Sequence, residues 1–93
     1  MALIECDPAK NAQNLRERGI GLQRFADMDF DTAISVEDTR KDYGEQRLRV
    51  LGHIDGKLYA AVITPRGETI RVISLRRANT REERAYAKER QSS

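Results

Sequence analysis

The stretch RLRVLGHIDGKLYAAVITPRGETIRVISLRR, residues 47–77, decides the fold. It holds three runs rich in Val, Ile, Leu and Tyr, at residues 47–54, 57–64 and 68–75, separated by Asp55-Gly56 and by Pro65-Arg66-Gly67. Such runs between turn formers read as the strands of an antiparallel meander. Asp-Gly is the preferred pair for a two-residue type I′ hairpin, whose central residues both need positive φ. That loop places Ile54 opposite Lys57, Val50 opposite Ala61 and Leu48 opposite Ile63. With Arg66-Gly67 as the second loop, Ile63 falls opposite Ile70 and Ala61 opposite Val72.

Successive side chains point to opposite faces of a strand, so this register sorts the residues into two sets. One face collects Leu48, Val50, Ile54, Tyr59, Ala61, Ile63, Ile70 and Val72, a core for helices to cover. The other collects Arg47, Arg49, Leu51, His53, Leu58, Ala60, Val62, Thr64, Thr69, Arg71, Ile73 and Leu75, with Arg49, Val62 and Arg71 in one row. Guanidinium groups gathered over small residues repel one another and are tolerated best where an anion is bound; their planar fork suits phosphate. Arg76 and Arg77 extend the cluster toward the start of the last helix, whose free amides add positive potential.

Upstream, Asp7-Pro8 reads as an N-cap followed by proline in the first turn, and Gly19 as the residue that ends the helix at about Arg18. Lys10, Asn14 and Arg18 recur every four residues and form one stripe, while Ala12 and Leu15 offer a weak apolar edge. Leu22, Phe25, Ala26 and Met28 suit a short second helix on the core. Thr80-Arg81-Glu82-Glu83 has the form of a capping box, so a terminal helix starts near Arg81, carries Tyr86 inward and ends in a flexible tail at residues 89–93. The fold class is α+β: one small domain over residues 1–93.

At 93 residues, with 39% hydrophobic and 34% charged side chains, the core is thin and a stabilising partner is expected. Residues 1–45 carry six Lys/Arg against ten Asp/Glu, and residues 46–93 carry eleven against five. A polyanion therefore prefers the second half, and a basic partner the acidic stretch from Asp27 to Glu45. Cys6 stands alone and His53 is the single histidine, so neither a disulfide framework nor a metal cluster is expected, and no cofactor. A reducing cytoplasm fits, and no apolar run approaches the ~20 residues that cross a bilayer.

Asp7-Pro8-Ala9-Lys10 with Asn14 and Gly19, then Gly44-Glu45-Gln46-Arg47 with Gly52, then Arg71-Val72-Ile73-Ser74-Leu75-Arg76-Arg77-Ala78 and Tyr86, closely resemble the BrnT toxins. These are the toxin halves of BrnT/BrnA type II toxin–antitoxin modules, similar in fold to the RelE ribonucleases. The resemblance implies a metal-independent endoribonuclease that arrests growth, with RNA as substrate. It also implies a ribbon-helix-helix antitoxin of the BrnA type in a hetero-oligomer, touching operator DNA only through the antitoxin. Arg18 stands where the family usually carries His, Leu48 where an aromatic often follows the arginine, and Cys6 where Trp or Phe is common.

On that likeness Arg47, Arg71 and Arg76 stabilise the phosphorane, with Glu45 or Lys10 as proton acceptor and Tyr86 as donor. Arg49, Arg77, Asn14 and Tyr86 bind the substrate. His53 lies on the cationic face in this register but outside the family motif, and reads as a bystander. The competing reading is a module that grips nucleic acid with the same arginines and does no chemistry.

Overall fold

In a computed structural model that describes residues 3–39 and 44–91, the chain runs β1 (Leu3–Glu5), α1 (Pro8–Arg18), a 3-10 helix (Leu22–Asp27), β2 (Ile34–Glu37), β3 (Leu48–Ile54), β4 (Lys57–Arg66), β5 (Thr69–Arg77) and α2 (Thr80–Gln91). Lys41 and Asp42, part of the acidic stretch, lie outside the described residues, as do Ser92 and Ser93. Helix α2 continues through Glu89 to Gln91, where a tail was expected.

The three-stranded meander is present, but it is the centre of a larger sheet in the order β1-β5-β4-β3-β2. Strand β2 joins antiparallel to β3, and β1 joins parallel to β5, so the sheet is mixed rather than purely antiparallel. Both added strands are three or four residues long, too short for alternation to announce them. Main-chain pairing with a strand already in place is what orders them.

The β3–β4 register is the one Asp55-Gly56 dictates, with Ile54 opposite Lys57 and Leu48 opposite Ile63. Asp55 and Gly56 take φ of 52° and 78°, as the type I′ turn requires. The β4–β5 register differs. Its loop is Gly67-Glu68, with Gly67 at φ 59° in the first loop position, so Ile63 faces Val72 and Pro65 faces Ile70. A bulge between Val62 and Ile63 then adds one residue to β5, and Ala61 meets Leu75, Val62 meets Ser74 and Ala60 meets Arg76. Arg71 therefore shares a row with Thr64, not with Arg49 and Val62.

The bulge has a hydrophobic cause. Strict alternation from Ile70 and Val72 would send Ser74 and Arg76 into the core and Leu75 out of it. The extra residue reverses this, and Leu75 is fully buried beside Val72 instead of lying on the arginine face.

The core beneath the sheet joins Val50, Ile54, Ala61, Ile63, Val72 and Leu75 to Ile20, Leu22, Phe25 and Met28. Leu22, Phe25 and Met28 reach it at intervals of three, the period of the 3-10 helix, which leaves Ala26 exposed where an α-helix would have turned it inward. Gly52 leaves room for Met28: a Cβ on it would lie 2.5 Å from Met28 Sδ and 3.1 Å from Ala33 Cβ, so any larger residue requires the methionine to shift.

Helix α1 docks differently from the reading of its apolar edge. It buries none of its residues, and Leu15 is 56% exposed. Two asparagines hold it instead. Asn11 Oδ1 accepts from Leu22 N at 2.7 Å, and Asn14 Nδ2 donates to the carbonyls of Ile20 and Leu75 at 2.8 Å each while its Oδ1 accepts from Leu75 N at 3.4 Å. Beyond Arg71 the outer edge of β5 has no strand partner, and Asn14 supplies the missing donor and acceptor. Its caps are as expected: Asp7 Oδ1 accepts from Ala9 N at 2.8 Å, and Gly19 closes the helix at φ 74°.

Candidate functional site

The face of the sheet opposite the main core is divided. At one end Leu51, Leu58 and Ala60 form a small cluster under Ile34, Ala78 and Tyr86. The Tyr86 hydroxyl donates to Thr32 O at 2.8 Å and its ring meets His53 edge-on, with centroids 5.3 Å apart. Tyr86 thus fastens α2 over the sheet, and its proton is engaged there.

At the other end stands a run of ion pairs. Arg47 Nε lies 3.7 Å from Glu45 Oε1, and Glu45 Oε2 lies 3.4 Å from Arg66 Nη2. Arg66 Nη1 lies 3.9 Å from Glu5 Oε1, which sits 3.2 Å from Arg71 Nη1, and Arg71 Nη2 reaches Asp7 Oδ2 at 4.0 Å. Three arginines alternate with three carboxylates, so this cluster has no formal charge to offer an anion. Burial pushes the nearby Cys6 thiol up, partly offset by Arg71.

Between these ends lies a hollow of about 260 Å³ walled by Arg49, Ser74, Arg76, Asn79, Arg81 and Glu82, with Ala60 and Val62 in its lining. Arg49 projects from β3, and the bulge in β5 turns Ser74 and Arg76 onto the same face. Arg81 arrives from the first turn of α2. Three cations thus face one carboxylate. The Arg49 side chain makes no hydrogen bond or ion pair among the described residues, whereas Arg76 Nη1 and Nη2 donate to Glu82 Oε1 and Oε2 at 2.8 and 3.0 Å.

Glu82 also closes the capping box, one residue earlier than the sequence suggested. Glu82 N donates to Asn79 Oδ1 at 2.8 Å and Asn79 N to Glu82 Oε1 at 2.9 Å, so Asn79 is the cap and Thr80 is helical. Asn and Thr both cap well, and Arg76 decides between them by pulling Glu82 rather than Glu83 toward the sheet.

The forked bond from Arg76 holds the Glu82 carboxyl below the usual range against the opposing effect of burial, helped by the Asn79 amide and by Arg49. A carboxylate whose folded pKa is depressed stabilises the fold above its unfolded pKa, and that stabilisation is lost as pH falls through the folded value. Glu82→Gln keeps the cap and removes the charge. It is expected to lower stability by about 1–2 kcal/mol at pH 7 and to flatten the loss that sets in as pH falls below the ordinary carboxylate range, as thermal melts from neutral to acid pH will show.

Of the residues singled out from sequence, the structure brings Arg49 and Arg76 together. Lys10 and Asn14 line an adjacent groove on α1. Arg47, Glu45 and Arg71 belong to the neutralised chain, and Arg77 leaves the site: it pairs with Tyr59 across β4 and its guanidinium lies 5.7 Å from that ring's centroid, on the other face. Arg81, Ser74 and Glu82 were missed. The signal for Ser74 was the broken alternation between Val72 and Leu75, and for Glu82 the spacing Asn79-x-x-Glu82.

Among the described residues no helix is long and apolar enough to cross a membrane, and no three His, Cys, Asp or Glu side chains are grouped to hold a metal ion. No curated protein matches the chain. Residues 6–82 match the family described as the ribonuclease toxin, BrnT, of type II toxin–antitoxin systems, and they span every element that builds the hollow, from β3 through the first turn of α2. With that much of its length matched, this chain belongs to the BrnT family of ribonuclease toxins.

Proposed function

We propose that the chain is a metal-independent endoribonuclease whose site is the hollow of Arg49, Arg76 and Arg81, and that a ribbon-helix-helix antitoxin of the BrnA type neutralises it. The observation that carries this reading is an excess of guanidinium groups in a concave space roomy enough for a phosphate, where three arginines face the single carboxylate of Glu82 and the Arg49 side chain makes no ion pair within 4.0 Å among the described residues. The family supplies the substrate class.

In this reading a scissile phosphate sits against Arg49 and Arg81, with Arg76 held in place by Glu82. The 2′-oxygen of the preceding ribose attacks phosphorus and the bond to the 5′-oxygen breaks, leaving a cyclic phosphate and a free 5′-hydroxyl. Charge grows on the non-bridging oxygens as the phosphorane forms, and fixed guanidinium groups stabilise it more than they stabilise the ground state. The 2′ proton passes to solvent in the open hollow, and the leaving oxygen takes one from it. Glu82, held by Arg76, is too weak a base for that work. Glu45 is committed to Arg47 and Arg66, and Lys10 lies in the neighbouring groove.

Purified protein incubated with single-stranded RNA and chelator should yield fragments ending in a 2′,3′-cyclic phosphate. Salt-sensitive binding with intact RNA would instead favour a module that only grips nucleic acid.

A further inference from the structure

The arginine hollow does not end at the sheet. Ser74, part of its wall, also lines a second hollow of about 230 Å³ between α1 and β5, shared with Lys10, Asn14, Glu17 and Arg18. Strand β5 lies between the two; past Arg71 its outer edge has no strand partner and is met by Asn14 at Leu75, which leaves the neighbouring Ser74 on the rim the two hollows share. The four-residue stripe of α1 is aimed at this edge, and the bonds from Asn14 to Leu75 lock it there, with Lys10 one turn before and Arg18 one turn after. Glu17 Oε1 accepts from Gln13 at 3.2 Å, whereas the Lys10 and Arg18 side chains make no ion pair among the described residues.

We infer that the two hollows form one trough for a single RNA strand. The backbone crosses the edge of β5 at Ser74, and Lys10 and Arg18 hold phosphates flanking the one bound at Arg49. This rests on the ribonuclease reading of the first hollow and adds two phosphate subsites to it. The separate placement of Lys10 and Arg49 explains why both occur in one chain: one fixes the path of the strand, the other meets the bond that breaks.

The test uses 2′-deoxy oligonucleotides, which bind without being cut, of about three and about nine nucleotides, titrated between 50 and 200 mM salt. Wild-type affinity should rise with length. In the Lys10→Gln/Arg18→Gln double variant, whose changes are on exposed side chains, that gain should be lost: affinity for the longer strand falls about tenfold and its salt slope shrinks by about 1.4, the share of two phosphates. Each single variant should lose about threefold. A double variant that keeps the gain and the slope, in a protein that still cleaves RNA, overturns the trough and leaves the ribonuclease reading standing. A wild-type protein that cleaves no RNA removes that reading and the trough with it.

Discussion

Arg49→Ala is expected to cut RNA cleavage by about a hundredfold or more and to relieve growth arrest on expression, while the melting temperature stays within about 2 °C of wild type. The first half follows from removing a fixed cation at the place where charge develops, a loss of the size seen when an oxyanion donor is deleted. The second half follows from the Arg49 side chain making no hydrogen bond or ion pair among the described residues, while its main chain stays in the ladder in the alanine variant. Arg49→Lys keeps the charge and loses the fork, and should fall between the two. Arg47→Ala and Arg71→Ala are the informative controls. The sequence pointed to them first, but their charges are met by Glu45, Glu5 and Asp7, so their effect on cleavage should be much smaller. Cleavage that survives in Arg49→Ala and fails in Arg47→Ala would move the site to the other end of the sheet.

The other large effect is on the fold. Asn14→Ala should lower stability by about 2–3 kcal/mol, or roughly 10–20 °C in a chain of this size, measured by thermal or urea unfolding. The change removes bonds to Ile20 O, Leu75 O and Leu75 N and leaves fully buried Leu75 with main-chain groups that no strand can satisfy. Because α1 buries no apolar residue of its own, nothing else holds the helix against β5 as firmly. Loss of RNA binding without loss of stability would instead make Asn14 a ligand contact, the role its place in the family motif had suggested.

What could be read without coordinates was local. Asp55-Gly56 dictated the β3–β4 register because both residues tolerate positive φ, and Asp7-Pro8 with Gly19 bounded the first helix by satisfying its free ends. The capping box before the last helix was legible in kind but not in position. Asn79 and Thr80 are both good caps, and the choice depends on Arg76, three residues upstream in sequence but brought onto Glu82 by the bulge in β5. The two outer strands were not legible, because three or four residues show no period and gain order from a neighbour.

The site shows the same division. The likeness in Asp7-Pro8, Glu45-Gln46-Arg47 and Arg71 to Ala78 was enough to place the chain in its family, and the charge excess in the second half pointed to an anionic partner. Which arginines stand together without a full set of carboxylates was a tertiary matter. One extra residue in β5 keeps Leu75 in the core, and the same step moves Arg76 beside Arg49, sends Arg77 to the opposite face and leaves Arg71 to Glu5. Alternation is a property of an unbroken strand, and burying Leu75 outweighs the ladder bond that a bulge gives up.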